Sequence, residues 1–83
     1  MNGDSSMKLS TLRRGQQARI HQINASDSLT RKLLEMGLEE GMDVTLLHEG
    51  PIARDPIAIR IAGDRVIALR RRDADAIHLS PLS

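Results

Sequence analysis

Apolar and polar residues alternate over short stretches of this 83-residue chain, and glycine or proline interrupts the alternation between them. Residues 17–23 read as a strand, with Ala18 and Ile20 on one face and Arg19 and His21 on the other. Ile23 breaks the alternation, which predicts a bulge near Gln22. Upstream, Leu9-Ser-Thr-Leu12 reads as a short turn that tucks two leucines under the domain, and Gly15 releases the chain into the strand. Residues 1–6 are polar and carry no period, so they read as a floppy tail ahead of a single domain over 7–83.

After the first strand the period changes. Asn24 to Asp27 is a turn, where Ser26 or Asp27 can accept the free N–H groups of a helix. Leu29, Leu33 and Met36 then recur at i, i+4 and i+7, which predicts a helix over residues 28–36. Gly37 is placed to end it, with Leu38 folding back on Leu33. Leu34 does not fit the stripe, since it lies roughly 100° or more around the helix from it. Either it packs under a loop or it forms an exposed apolar edge with Leu38 and Met42, and such edges mark partner sites. Arg31, Lys32 and Glu35 would be the polar rim of that edge.

The second half returns to alternation. Residues 43–48 read as a strand with Val44 and Leu46 inward, and residues 49–55 as a loop, because Gly50-Pro51 and Asp55-Pro56 both oppose regular structure. Pro56 can open a third strand, where Ile57, Ile59 and Ile61 share a face. Gly63-Asp64 signals a hairpin. A loop of Gly63 to Arg65 would put Ile67 and Leu69 on the face of Ile59 and Ile61, with Ile61 opposite Ile67. That choice buries two large side chains where the alternative buries a valine and an alanine. Asp73 to Ala76 reads as one 3₁₀ turn, and Ile77 to Leu79 as a last short strand. Five short strands and one inserted helix predict a mainly β fold, a small antiparallel barrel.

Composition narrows the function. The chain has no Cys, Trp, Tyr or Phe. Disulfides, thiolate metal sites and Cys nucleophiles are excluded, as are aromatic platforms for stacking bases. No apolar run approaches the ~20 residues of a membrane span. Met1-Asn-Gly-Asp-Ser-Ser lacks the basic and apolar regions of a signal peptide, so a cytoplasmic location is expected. Net charge is only +1, which gives no global pull toward nucleic acid.

Candidate chemistry is sparse. His21, His48 and His78 each fall at strand positions pointing away from the core, without metal-ligand spacing, so neither a metal site nor a cofactor is expected. No serine sits in a nucleophile elbow, and the glycines are scattered rather than clustered as a phosphate loop. An enzyme is not expected. Arg70-Arg71-Arg72 could touch an anionic partner, but a solvated strand end partly neutralised by Asp73 and Asp75 is the favoured reading.

Taken in order, several segments form a family pattern: Leu12-Arg-Arg-Gly15, Ala18-Arg-Ile20, Arg31-Lys-Leu-Leu-Glu-Met-Gly-Leu38, Glu40-Gly-Met-Asp-Val44, Asp55-Pro-Ile-Ala-Ile59, Ile67-Ala-Leu-Arg70 and Ala74-Asp-Ala-Ile77. The chain resembles the ferrous-iron transport protein A (FeoA) family over residues 8–80. The resemblance implies an SH3-like barrel and a non-catalytic cytoplasmic accessory role in bacterial ferrous-iron uptake. It implies a partner, a FeoB-type membrane transporter with a cytoplasmic GTPase domain, so that contact with the membrane is indirect. The same domain occurs in metal-dependent DNA-binding repressors, but these residues leave no room for a winged helix, and that role is not expected here.

The candidate partner-binding surface is the helix and its exit, Arg31, Lys32, Leu34, Glu35 and Leu38, with Pro51, Asp55 and Pro56 of the following loop beside it. Weak self-association is left open. Two alternatives are kept: a nucleic-acid-binding barrel using Arg60, Arg65 and Arg70 to Arg72, and a divalent-metal sensor using His48 and Glu49.

Overall fold

The alternating segments pair into one antiparallel sheet in the computed structural model, which describes residues 7–82. The expected tail, residues 1–6, lies outside the described residues. Six strands, β1 (Met7–Lys8), β2 (Gln17–Ile23), β3 (Asp43–Ile52), β4 (Asp55–Ile61), β5 (Arg65–Leu69) and β6 (Ile77–Ser80), lie in the order β1-β6-β2-β3-β4-β5. Helix α1 (Asp27–Glu35) is inserted after β2, and a single helical turn, α2 (Arg71–Ala74), precedes β6. The strand beyond the expected five is β1, whose two residues face Leu79 and His78 and are too few to show alternation.

One face of the sheet supplies most of the core. Ala18 and Ile20, Val44 and Leu46, Ile57, Ile59 and Ile61, Leu69, and Ile77 and Leu79 are all buried. Leu33, Leu38 and Ala74 join them, as do Leu9 and Leu12 around a 3₁₀ turn at Leu9–Thr11. These side chains form one core cluster, with Met7, Ile23, Leu29, Met36, Met42 and Ile67 packed against it. The bulge predicted near Gln22 is present. Ile20 faces Leu79 and Gln22 faces His78, so His21 is the extra residue.

Helix α1 is built as its sequence indicates. The Ser26 hydroxyl accepts the Leu29 N–H at 3.2 Å. Gly37, at φ 99°, closes the other end, where its N–H bonds the Leu34 carbonyl (2.9 Å) and the Leu38 N–H bonds the Leu33 carbonyl (3.0 Å). Arg65 of β5 reaches over this end and donates to the Met36 carbonyl at 2.7 Å, a cation at the negative end of the helix dipole.

Three expectations need correction. The first is the loop at 49–55, which is instead the tip of a β3–β4 ribbon. Ile52 faces Asp55 across a turn of Ala53 and Arg54, whose φ angles of 57° and 58° are both left-handed. Irregularities in register between Leu46 and His48, and between Glu49 and Ile52, accommodate Gly50 and Pro51. A Cβ on Gly50 would fall onto the Asp55 carbonyl, so glycine is what lets the two chains approach. The Asp55–Pro56 bond is cis.

The second correction is the β4–β5 register. Ile61 faces Arg65, and Ile59, not Ile61, faces Ile67, because the loop is Ala62 to Asp64 and starts one residue earlier than expected. Moving a loop by one residue shifts each pair by two, so Ile67 and Leu69 keep the predicted face. The shift also places Arg65 where it can cap α1.

The third concerns the arginine run. It is no solvated strand end, because Arg71 and Arg72 open α2, and the Ala74 and Asp75 N–H groups bond the Arg70 and Arg71 carbonyls at 3.1 Å each. The expected 3₁₀ turn at 73–76 is thus a turn of α-helix that begins earlier. Its first N–H, that of Arg71, is accepted by the Asp55 carboxylate at 2.7 Å. The cap comes from a distant strand, which no local pattern announces.

Candidate functional site

Helix α1 carries four of the eight expected partner residues on its solvent side. Arg31, Lys32 and Glu35 are exposed, and Leu34 is 57% exposed. Lys32 and Leu34 are two positions apart, about 200° around a helix, so they lie on opposite flanks. On one flank, Lys32 and Met36 line a cleft of about 230 Å³ with Pro56, Leu69, Arg70 and Asp73, and Lys32 pairs with Asp73 at 3.4 Å. On the other, Leu34 lines a cleft of about 330 Å³ with Ile23, Thr30, Leu38, Glu39 and Glu40. The sequence grouped these residues as one surface, and the structure divides them between two.

Two of the expected contact residues have internal duties. Leu38 is 1% exposed, so it belongs to the core and does not extend the Leu34 edge. The residue after a Schellman glycine turns inward to pack on the last helical turn, and this removes it from the surface. Asp55 caps α2 through one carboxylate oxygen, while the other lies 3.7 Å from Arg70. Pro51 and Pro56 remain exposed on the β3–β4 ribbon. Next to Pro51, Ile52 is 79% exposed at the tip, a large apolar side chain that the loop reading left unmarked.

The opposite end of the ribbon tip meets the 3₁₀ turn at Leu9–Thr11 through Arg71. Its Nε and one terminal nitrogen donate to the Arg54 carbonyl, at 3.1 and 2.7 Å. The same terminal nitrogen pairs with Glu49 at 2.8 Å, and the other donates to the Ser10 carbonyl. Ser10 is itself buried and donates its hydroxyl to Asp75. One planar guanidinium therefore ties β3, the Ala53–Arg54 turn, the 3₁₀ turn and α2 together, a task its five fixed donors suit. Above it lies a cleft of about 480 Å³ lined by Ser10, Thr11, Leu12, Arg13, Arg14, Glu49, Arg54 and Arg71. Arg13-Arg14, Arg54 and Arg71 are far apart along the chain, and only the fold brings them to one cleft.

The histidines are dispersed. His21 is the bulge residue, His48 faces Ala58, and His78 faces Lys8 and Gln22. Among the described residues, no group of three His, Asp or Glu side chains is placed to hold a metal ion. No helix among them is long and apolar enough to cross a membrane.

Known proteins share both sequence and fold with this chain. The FeoA domain family matches residues 7–81. A Fe(2+) transport protein A/Fe(2+) transporter FeoB fusion protein of Porphyromonas gingivalis is 36% identical over 77 residues, 93% of this chain. The chain spans only 9% of that relative's length. The solution structure of iron(II) transport protein A from Clostridium thermocellum superposes with a TM-score of 0.84 at 39% identity, covering 92% of this chain and 46% of that one. The crystal structure of Stenotrophomonas maltophilia FeoA complexed with zinc, described as a procaryotic SH3 domain protein, covers 89% of each chain with a TM-score of 0.70 at 27% identity. A six-stranded SH3-like sheet with one inserted helix, matched from β1 to the end of β6 by a single family, places this chain in the FeoA family.

Proposed function

We propose that this chain is a non-catalytic, cytoplasmic accessory protein of ferrous-iron uptake that binds and modulates a FeoB-type transporter. The observation that carries this reading is the Porphyromonas gingivalis relative, whose name joins Fe(2+) transport protein A and the Fe(2+) transporter FeoB in one polypeptide. Fusion of two functions in one relative favours contact between the separate proteins in another.

The contact runs over the exposed side of α1 (Arg31, Lys32, Leu34 and Glu35) onto both flanks, Leu34 on one and Lys32 beside Pro56 on the other, with Pro51 at the ribbon tip. Leu34 is the apolar contact of its flank, an exposed leucine on a cleft rimmed by Glu39 and Glu40. Leu34 lies beside apolar Ile23 in that cleft, which gives the contact an apolar patch. Leu38 is left out because it is buried, and Asp55 because its carboxylate is engaged by the Arg71 N–H and Arg70.

A pull-down of the transporter's cytoplasmic portion tests the reading. Leu34→Asp is expected to lower capture at least tenfold, while leaving the circular dichroism spectrum unchanged because the side chain is exposed. Equal capture by wild type and variant would remove Leu34 from the interface. Absence of capture by the wild type would remove the partner.

A further inference from the structure

The geometry points to the arginine-lined cleft between the 3₁₀ turn and the β3–β4 tip as a binding site for a free di- or triphosphate. Four guanidinium-bearing residues line it, Arg13, Arg14, Arg54 and Arg71, against a single carboxylate, Glu49. Glu49 is already paired with Arg71 at 2.8 Å. Among the described residues, Arg13, Arg14 and Arg54 have no acidic partner within ion-pair distance. Three arginines without an ion-pair partner thus line one concavity, in a chain whose net charge is +1.

The charge count selects the ligand class. A phosphate monoester carries about −1.5 to −2 at neutral pH, which leaves such a site positive. Two or more linked phosphates balance it. Guanidinium is also the side chain that binds phosphate oxygens in a fork. The cleft volume of about 480 Å³ admits a diphosphate with space to spare.

The backbone that carries the site is tied together by Arg71. Arg71 is spent on the Arg54 and Ser10 carbonyls and on Glu49, so its role is to hold the walls. It fixes the backbone of Arg54 directly, and the Ser10 anchor stands three residues before Arg13. The ligand-facing groups are then Arg13, Arg14 and Arg54, all exposed. This assignment does not depend on any protein partner.

Isothermal titration of the whole chain with inorganic pyrophosphate, at about 20 mM salt where charges are weakly screened, tests it. One equivalent is expected to bind, more tightly than orthophosphate. Arg13→Ala/Arg14→Ala and Arg54→Ala should each weaken binding at least tenfold with unchanged circular dichroism. Arg60→Ala, an exposed arginine that does not line the cleft, should leave it intact. Titration with ATP separates the sources: equal affinity assigns recognition to the phosphates alone, and tighter binding extends the site to a nucleotide. No heat with pyrophosphate overturns the assignment. So does an equal loss in Arg60→Ala, which would show general charge attraction. Sedimentation with phosphatidylglycerol vesicles in the absence of pyrophosphate binding also overturns it, in favour of a lipid surface.

Discussion

Arg71 shows how much one side chain can organise in a domain this small. Its guanidinium satisfies carbonyls of two separate segments and neutralises a carboxylate that is only 26% exposed. Removing it strands those acceptors and leaves Glu49 without its cation. Arg71→Ala is therefore expected to cost about 1–3 kcal/mol, since a half-buried partner loses a charge-assisted bond. For a domain of this size each kcal/mol lowers Tm by about 4–8 °C. Arg71→Lys should recover little of the loss, because one ammonium cannot reach acceptors held in a planar fork. With no Trp or Tyr in the chain, the melt is followed by circular dichroism rather than by intrinsic fluorescence. The ion pair of Arg19 and Asp43 makes the contrast, since both side chains are about half exposed. Arg19→Ala should change stability by less than about 1 kcal/mol.

At the scale of elements, the informative pieces are α1 and the β3–β4 ribbon. Helix α1 has only nine residues, so its ends matter. Ser26→Ala is expected to cost about 1 kcal/mol through the lost cap. Gly37→Ala should cost about 1–2 kcal/mol, since its φ of 99° is hostile to a side chain. The Arg65 guanidinium, which caps the helix at Met36, also lies over the space a Cβ would occupy. The ribbon shows the opposite case, an element whose turn is not the best available. Two left-handed residues in succession favour Asn-Gly, and this chain has Ala53-Arg54. Replacing them as Ala53→Asn/Arg54→Gly is expected to stabilise the fold by about 1 kcal/mol in chemical denaturation. The same double substitution should weaken pyrophosphate binding, because it deletes one of the cleft's arginines. A gain in stability with no loss of binding would separate Arg54 from the site.

For the whole molecule, the governing fact is one sheet wrapped on one aliphatic core. Every strand but β1 contributes a buried side chain, and among the described residues the only helical ones buried are Leu33 and Ala74, aside from those of the 3₁₀ turn at Leu9–Thr11. Domains of this length have a net stability of about 4–12 kcal/mol. Leu46→Ala, at the centre of β3, is expected to cost about 2–5 kcal/mol and so to bring the domain near its unfolding threshold. Its denaturant midpoint should fall much further than that of Leu34→Asp, whose side chain is exposed. That difference is what makes Leu34 a usable probe of partner binding and Leu38 an unsuitable one.

The sequence by itself determined which residues face inward. Period-two alternation marked Ala18, Ile20, Val44, Leu46, Ile57, Ile59, Ile61, Ile77 and Leu79, all of them buried. Local chemistry also marked the bulge after Ile20 and both ends of α1, since a cap and a Schellman stop depend on neighbours within a few residues. Tertiary structure decided what depends on distant residues. It extended β3 through Gly50 and Pro51, moved the β4–β5 turn by one residue, and turned Arg70 to Arg72 from a strand end into a capped helical turn. It also split the expected contact surface across two flanks of α1 and drew Arg54 to Arg13 and Arg14. Burial follows a period that can be read along the chain. Pairing register and charge clusters follow from backbone acceptors and carboxylates supplied by other strands, and those have no period to read.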